Sequence, residues 1–164
     1  MTMRNNRVWT LFLVLAISAC STQAAENVAA AQTANAVTHP VSGLEIAPVT
    51  LRTKNGEHVI RAEVARTRPQ WTRGLMFRTE MGADEGMLFV DGKEEMRNFW
   101  MRNTVIPLDL IFIDADHKVI NIYAQAIPYS ETPIPSDLPA IAILELNGGK
   151  ARELGLKPGD RIDW

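Results

Sequence analysis

The sequence from Leu44 onward predicts a mainly β domain, a sandwich or partly open barrel of short strands with one or two short helices. Two observations carry this. Short apolar or alternating runs recur along the chain, and Gly, Pro, Asn and Asp punctuate them as turns at regular spacing.

Leu44–Leu51 opens as a strand, and Lys54-Asn55-Gly56-Glu57 reads as a hairpin turn because Asn-Gly accepts the positive φ of a type I′ turn. His58–Ala65 returns, with Ile60, Ala62 and Val64 alternating against Arg61 and Glu63. Thr67-Arg68-Pro69-Gln70 then looks like a helix start. Thr67 would be the N-cap, Gln70 would close a capping box, and Pro69 would sit in the first turn. That helix can run only to about Gly74 or Leu75.

Further strands are expected at Gly86–Val90, Met96–Met101, Leu108–Ile113, Lys118–Ile127 and Ala140–Leu146, with turns at Asp91-Gly92 and Asp114-Ala115-Asp116-His117. Pro128 to Pro139 holds four prolines and should be irregular, with no ladder of its own. A last short helix, Gly149 to Leu154, should stop at Gly155, an αL cap. Lys157-Pro158-Gly159-Asp160 turns the chain into a final strand ending at Trp164.

Ahead of the domain, Arg4 and Arg7 precede an apolar stretch from Val8 to Ala19, and no acidic residue occurs before Glu26. This is the pattern of a secretory signal, residues 1–19, and the stretch is too short for the about 20 residues that span a bilayer. Ile17-Ser18-Ala19-Cys20 resembles the bacterial lipobox, which implies acylation of Cys20 and anchoring to the cell-envelope membrane. Ser21 after the cysteine favours the periplasmic face of the outer membrane in a Gram-negative host. Cys20 is the only cysteine, so no internal disulfide can form. Residues 20–43, rich in Ala, Thr, Gln, Asn and Ser, read as a tether, and 44–164 as one domain.

Without Arg4 and Arg7, 15 basic residues face 19 acidic ones, a net of −4. With no basic stripe, nucleic-acid binding is disfavoured. His39, His58 and His117 are scattered, and Asp114-Ala115-Asp116 has Lys118 where a calcium loop needs a ligand. No metal site or cofactor motif is complete. Oligomeric state is left open.

Several ordered blocks span Arg73 to Asp160: Arg73-Gly74-Leu75-Met76-Phe77-Arg78, Gly86-Met87-Leu88-Phe89, Phe99-Trp100-Met101-Arg102-Asn103-Thr104, Ile106-Pro107-Leu108-Asp109, and Gly155-Leu156-Lys157-Pro158-Gly159-Asp160. This succession resembles the domain of unknown function 192 family, also called uncharacterised protein family 0127. The resemblance implies a compact, jelly-roll-like fold with a short helix. It implies no activity.

Two carboxylates stand in apolar company. Asp109 ends the row Asp109, Ile111, Ile113, while Leu108, Leu110 and Phe112 fill the other face, so both faces of that strand are apolar. Glu145 shares a row with Ile141 and Ile143. Each needs a donor or must neutralise. Arg73, Arg78, Arg102 and the amide of Asn103 are candidate partners, and such pairs could simply lock the helix to the sheet.

The preferred functional reading is a non-enzymatic module for a small ligand or saccharide. Trp100 would supply a stacking face, with Arg73, Arg78, Met101, Asn103, Thr104, Asp109 and Glu145 as the remaining candidates. The alternative is a hydrolase or transferase in which Asp109 and Glu145 share a pocket as acid and base. A third reading takes Met76, Met81, Met87, Met96 and Met101 as a Cu(I) site, though methionine packing on aromatics explains them better.

Overall fold

The computed structural model describes residues 37–164. The signal stretch, Cys20 and the tether up to residue 36 lie outside the described residues. The chain forms β1 (Ile46–Thr53), β2 (Gly56–Ala65), α1 (Arg68–Arg73), β3 (Glu85–Glu95), β4 (Asn98–Phe99), β5 (Leu108–Ile113), β6 (Val119–Ala126), β7 (Ile134–Pro135), β8 (Ala140–Asn147), α2 (Lys150–Leu154) and β9 (Arg161–Asp163). Seven strands make one sheet in the order β6-β5-β8-β3-β2-β1-β9, curled into a half-barrel, and β4 pairs with β7 apart from it. Of the two architectures expected, the partly open barrel is the one formed.

Neighbouring strands run antiparallel except β2 and β3, which pair in parallel through the crossover that contains α1. A parallel pair needs such a crossover, and it lays α1 across one face of the sheet. Gln70 Oε1 accepts the N–H groups of Arg66 and Thr67 at 2.8 Å, fixing the start of α1 where Thr67 and Gln70 predict it.

Several elements differ from expectation. The first hairpin turns at Lys54-Asn55, with Thr53 opposite Gly56, and of these only Gly56 has positive φ. Asp91-Gly92 makes no strand-ending turn. It lies inside β3, in a bulge where residues 91–94 intervene between the pairs Val90–Ala142 and Glu95–Ala140. The expected strand Met96–Met101 shrinks to Asn98–Phe99, because Arg97 is drawn inward and Met101 is locked to Ser130. The proline-rich loop does carry a ladder, two residues long: Ile134 and Pro135 pair with Phe99 and Asn98. Residues 37–43 hydrogen-bond to the start of the domain, with Val37 O accepting Ile46 N–H at 2.7 Å.

Both faces of the sheet are covered, so β5 is buried at all six positions. One face carries Leu51, Ile60, Leu88, Ile111 and Leu144, packed on α2 residues and Ile162. The other carries Met87, Phe89, Leu110, Phe112 and Ile143, packed on Leu75, Met101 and Trp71. This division separates the two carboxylates.

Candidate functional site

Asp109 pairs across the ladder with Leu146, on the α2 face. No arginine among the described residues pairs with it. Its carboxylate instead accepts backbone N–H groups from Gln125 at 2.8 Å and from Gly149 and Ala151 at 2.9 Å. Gln125 (φ 50°) sits at an irregularity in the β5–β6 register, and Gly149 and Ala151 open α2. Asp109 is therefore a structural plug that satisfies donors orphaned by a bulge and a helix start.

Glu145 lies one strand away on the opposite face, between Met87 of β3 and Leu110 of β5. This corrects the shared-pocket expectation. With side chains alternating across a strand, Asp109 and Glu145 point to opposite sides of the sheet and cannot act as an acid–base pair. Glu145 is 5% exposed, and burial, with no hydrogen bond or charge to offset it, pushes its carboxyl up to about 8.

What little of Glu145 is exposed opens into a cleft of about 220 Å³ between α1 and the β4 segment. Trp71, Phe89, Phe99 and Trp100 line it, with Thr104 at its side and Arg73 and Arg102 among the lining groups. The walls are fixed by ring packing. Phe89 meets Trp71 edge-to-face at 5.6 Å and Phe99 at 5.1 Å, and Trp71 Nε1–H donates to Ala65 O at 3.0 Å. Trp100 is 46% exposed, with the Arg102 guanidinium 4.7 Å above its ring. Arg102 is held in turn by Glu131 through two hydrogen bonds of 3.0 and 3.1 Å.

The Trp100–Thr104 loop is held by strained backbone next to the cleft. Phe77 (φ 63°), Asn103 (φ 56°) and Tyr129 (φ 61°) are non-glycine residues in the left-handed region. They meet through Phe77 N–H to Asn103 O at 2.8 Å and Tyr129 N–H to Thr104 O at 3.1 Å, and these contacts hold the Trp100–Thr104 loop.

The other candidates are dispersed. Arg73 is exposed, 4.9 Å over the Phe77 ring, and pairs with neither carboxylate. Arg78 pairs with buried Glu63 at 2.9 Å beside His39, not with Asp109 or Glu145. Met101 is fully buried in the core, and Asn103 directs its amide to Met76 Sδ at 3.8 Å. Of the other methionines, Met87 is buried, Met81 packs against the core, and Met96 is 58% exposed. Among the described residues no group of three or more His, Cys, Asp or Glu could hold a metal ion.

Sequence reasoning misses Trp71, Phe99 and Arg97. Trp71 lies four residues before Leu75, a helical spacing that marks the inward face. Arg97 is buried, stacks 4.8 Å from the Trp71 ring, pairs with Asp91 and Glu95 at 2.8 Å, and donates to Ala140 O at 3.1 Å. It fastens the β3 bulge to the wall of the cleft, and no local pattern marks it.

Among solved structures, a protein of unknown function from Novosphingobium aromaticivorans DSM 12444 is similar at 55% identity and a TM-score of 0.77, covering 82% of this chain and 96% of its own. A Sinorhizobium meliloti 1021 protein described as a candidate transcription regulator is similar at 38% identity and a TM-score of 0.71, covering 79% of this chain and 97% of its own. No curated protein matches the chain. Residues 49–164 match the family described as DUF192, Uncharacterized ACR, and the chain belongs to that family.

Proposed function

We propose that the domain is a non-enzymatic module that binds a small polar ligand in the Glu145 cleft. The observation that carries this is a carboxyl group, 5% exposed and without a partner among the described residues, at an opening walled by four aromatic side chains. Such a group is costly to bury unless something completes it, and a ligand that donates a hydrogen bond does so. Trp100 offers a flat, accessible face for the body of that ligand.

Export and acylation of Cys20 would place the cleft in the cell envelope, where saccharides and cell-wall fragments are at hand. This location rests on the signal-like stretch and the lipobox resemblance. The regulator description of the Sinorhizobium relative is not carried over, since 19 acidic residues outnumber 17 basic ones.

Calorimetric titration of the chain with saccharides and peptidoglycan fragments tests the reading. A bound ligand should lose about threefold to tenfold in affinity on Trp100→Ala, the worth of one aromatic contact. Unchanged affinity in that variant would sink it. Cys20→Ala should move the protein from the membrane to the soluble fraction, and an unchanged distribution would refute the anchor.

A further inference from the structure

The charges around the cleft say more about the ligand than its aromatic walls do. Two charged side chains line it besides Glu145, and one of them is already answered: Arg102 is clamped by Glu131. Arg73 is not. It extends from the last turn of α1, lines the same cleft, and has no carboxylate partner among the described residues. The cleft thus pairs a buried acid with an exposed guanidinium that rests on the Phe77 ring and lacks a carboxylate. The ladder partners of Glu145, Met87 and Leu110, are not titratable, and Glu85, on the same face of β3 two residues from Met87, is turned to the Gly82 N–H and Arg61.

We infer that the cleft takes a small zwitterion of the amino-acid type, its ammonium against Glu145 and its anionic group against Arg73. This rests on the binding reading above. A ligand without an anionic group leaves Arg73 without an ionic complement, and one without an ammonium gives Glu145 a hydrogen bond but no ion pair, so either forgoes one of the two charged contacts. The size fits. A cleft of about 220 Å³ falls below the roughly 300–1,000 Å³ of drug-sized sites and suits a molecule of amino-acid dimensions.

The inference has a proton signature that a neutral sugar lacks. In the free protein the Glu145 carboxyl, raised to about 8, holds its proton at neutral pH. An arriving ammonium favours the carboxylate, so the proton leaves to buffer as the ion pair forms. Affinity should therefore rise nearly tenfold between pH 6 and pH 7 and level off above about pH 8, where the free carboxyl is already ionised.

The experiment screens the common L-amino acids and D-alanine against the full chain by calorimetry. The best binder is then compared with its decarboxylated amine and its deaminated acid. Expected are tightest binding for the zwitterion, release of about one proton per molecule bound near pH 6.5, and loss of both the pH dependence and most of the affinity in Glu145→Gln. Arg73→Gln should lower the affinity for the zwitterion to that for the amine alone. Equal affinity for zwitterion and deaminated acid, or a flat pH profile, overturns the inference. If N-acetylglucosamine binds and no amino acid does, the zwitterion falls while the binding reading stands. If neither these amino acids nor any saccharide or peptidoglycan fragment binds, both fall.

Discussion

Asp109 and Glu145 sit on adjacent strands, one ladder step apart, with Asp109 opposite Leu146 and Glu145 opposite Leu110. Both are carboxylates in apolar rows, and both are buried. Their environments differ because the two faces of the sheet are covered differently. Over Asp109 lie an irregular ladder and the start of α2, which bring three backbone N–H groups with no other partner. Over Glu145 lie aromatic rings and a helix whose arginine faces solvent, and none of these donates to it. A buried carboxylate surrounded by orphaned backbone donors is structure. One surrounded by rings and an opening has no such donor among the described residues.

The sharpest way to break this contrast is to remove the structural member. Asp109→Ala orphans the buried Ala151 N–H and the part-buried N–H groups of Gln125 and Gly149, at about 1–3 kcal/mol for a fully buried group and less for the others, so a loss on the order of 2–5 kcal/mol is expected, a large share of the stability of a domain this size. Urea unfolding measures it. A loss below about 1 kcal/mol would mean that the three bonds do not matter to the fold. Asp109→Asn, which keeps one acceptor oxygen, should lose less.

Glu145 should respond with the opposite sign. Its folded pKa of about 8 stands above the 4.5 usual for a glutamate, so the folded protein holds a proton that the unfolded chain has already released. This contribution to stability is fully present below about pH 4.5 and is lost as pH rises toward 8, at about 1.4 kcal/mol per pH unit. Stability should fall across that window by a few kcal/mol. Glu145→Gln, which carries no proton to lose, should flatten that part of the curve and be the more stable protein at pH 8. Unfolding midpoints of both proteins from pH 5 to pH 8 check this. A parallel decline in the two would assign the slope to other groups.

Much of this contrast was open to sequence reasoning, and the rest was not, for physical reasons. Period-two alternation marks both rows as buried, so the presence of two carboxylates in the wrong company is legible in Leu108–Ile113 and Ala140–Leu146. Which face each row points to depends on strand pairing. The order β5-β8-β3 joins segments up to 60 residues apart, and no spacing encodes that. The helix from Thr67 to Gly74 is legible because its caps are local. The parallel pairing of β2 with β3 is not, and it is this pairing that sets α1 over Glu145. Arginine partners fail as guesses for the same reason. Arg78 reaches Glu63, a residue whose alternation marks it as outward but which the segment at 37–44 covers.

The smallest effect is expected at the lip of the cleft, and its smallness is informative. Arg102 and Glu131 are both exposed, and each shifts the other: the carboxylate raises the guanidinium pKa, and the guanidinium lowers that of the carboxylate. An exposed pair of this kind contributes little to folding because water screens it and long side chains must be ordered to form it. Arg102→Ala should therefore leave the urea midpoint within error of the wild type, in contrast to Asp109→Ala. What it should change is the cleft, since it uncovers one face of Trp100 and removes the cation above that ring. Trp100 fluorescence should then become more accessible to iodide quenching, with the other three tryptophans as background. A midpoint shift as large as that of a buried polar substitution would place Arg102 in the fold, and the cleft would lose its claim to a lip that is free of structural duty.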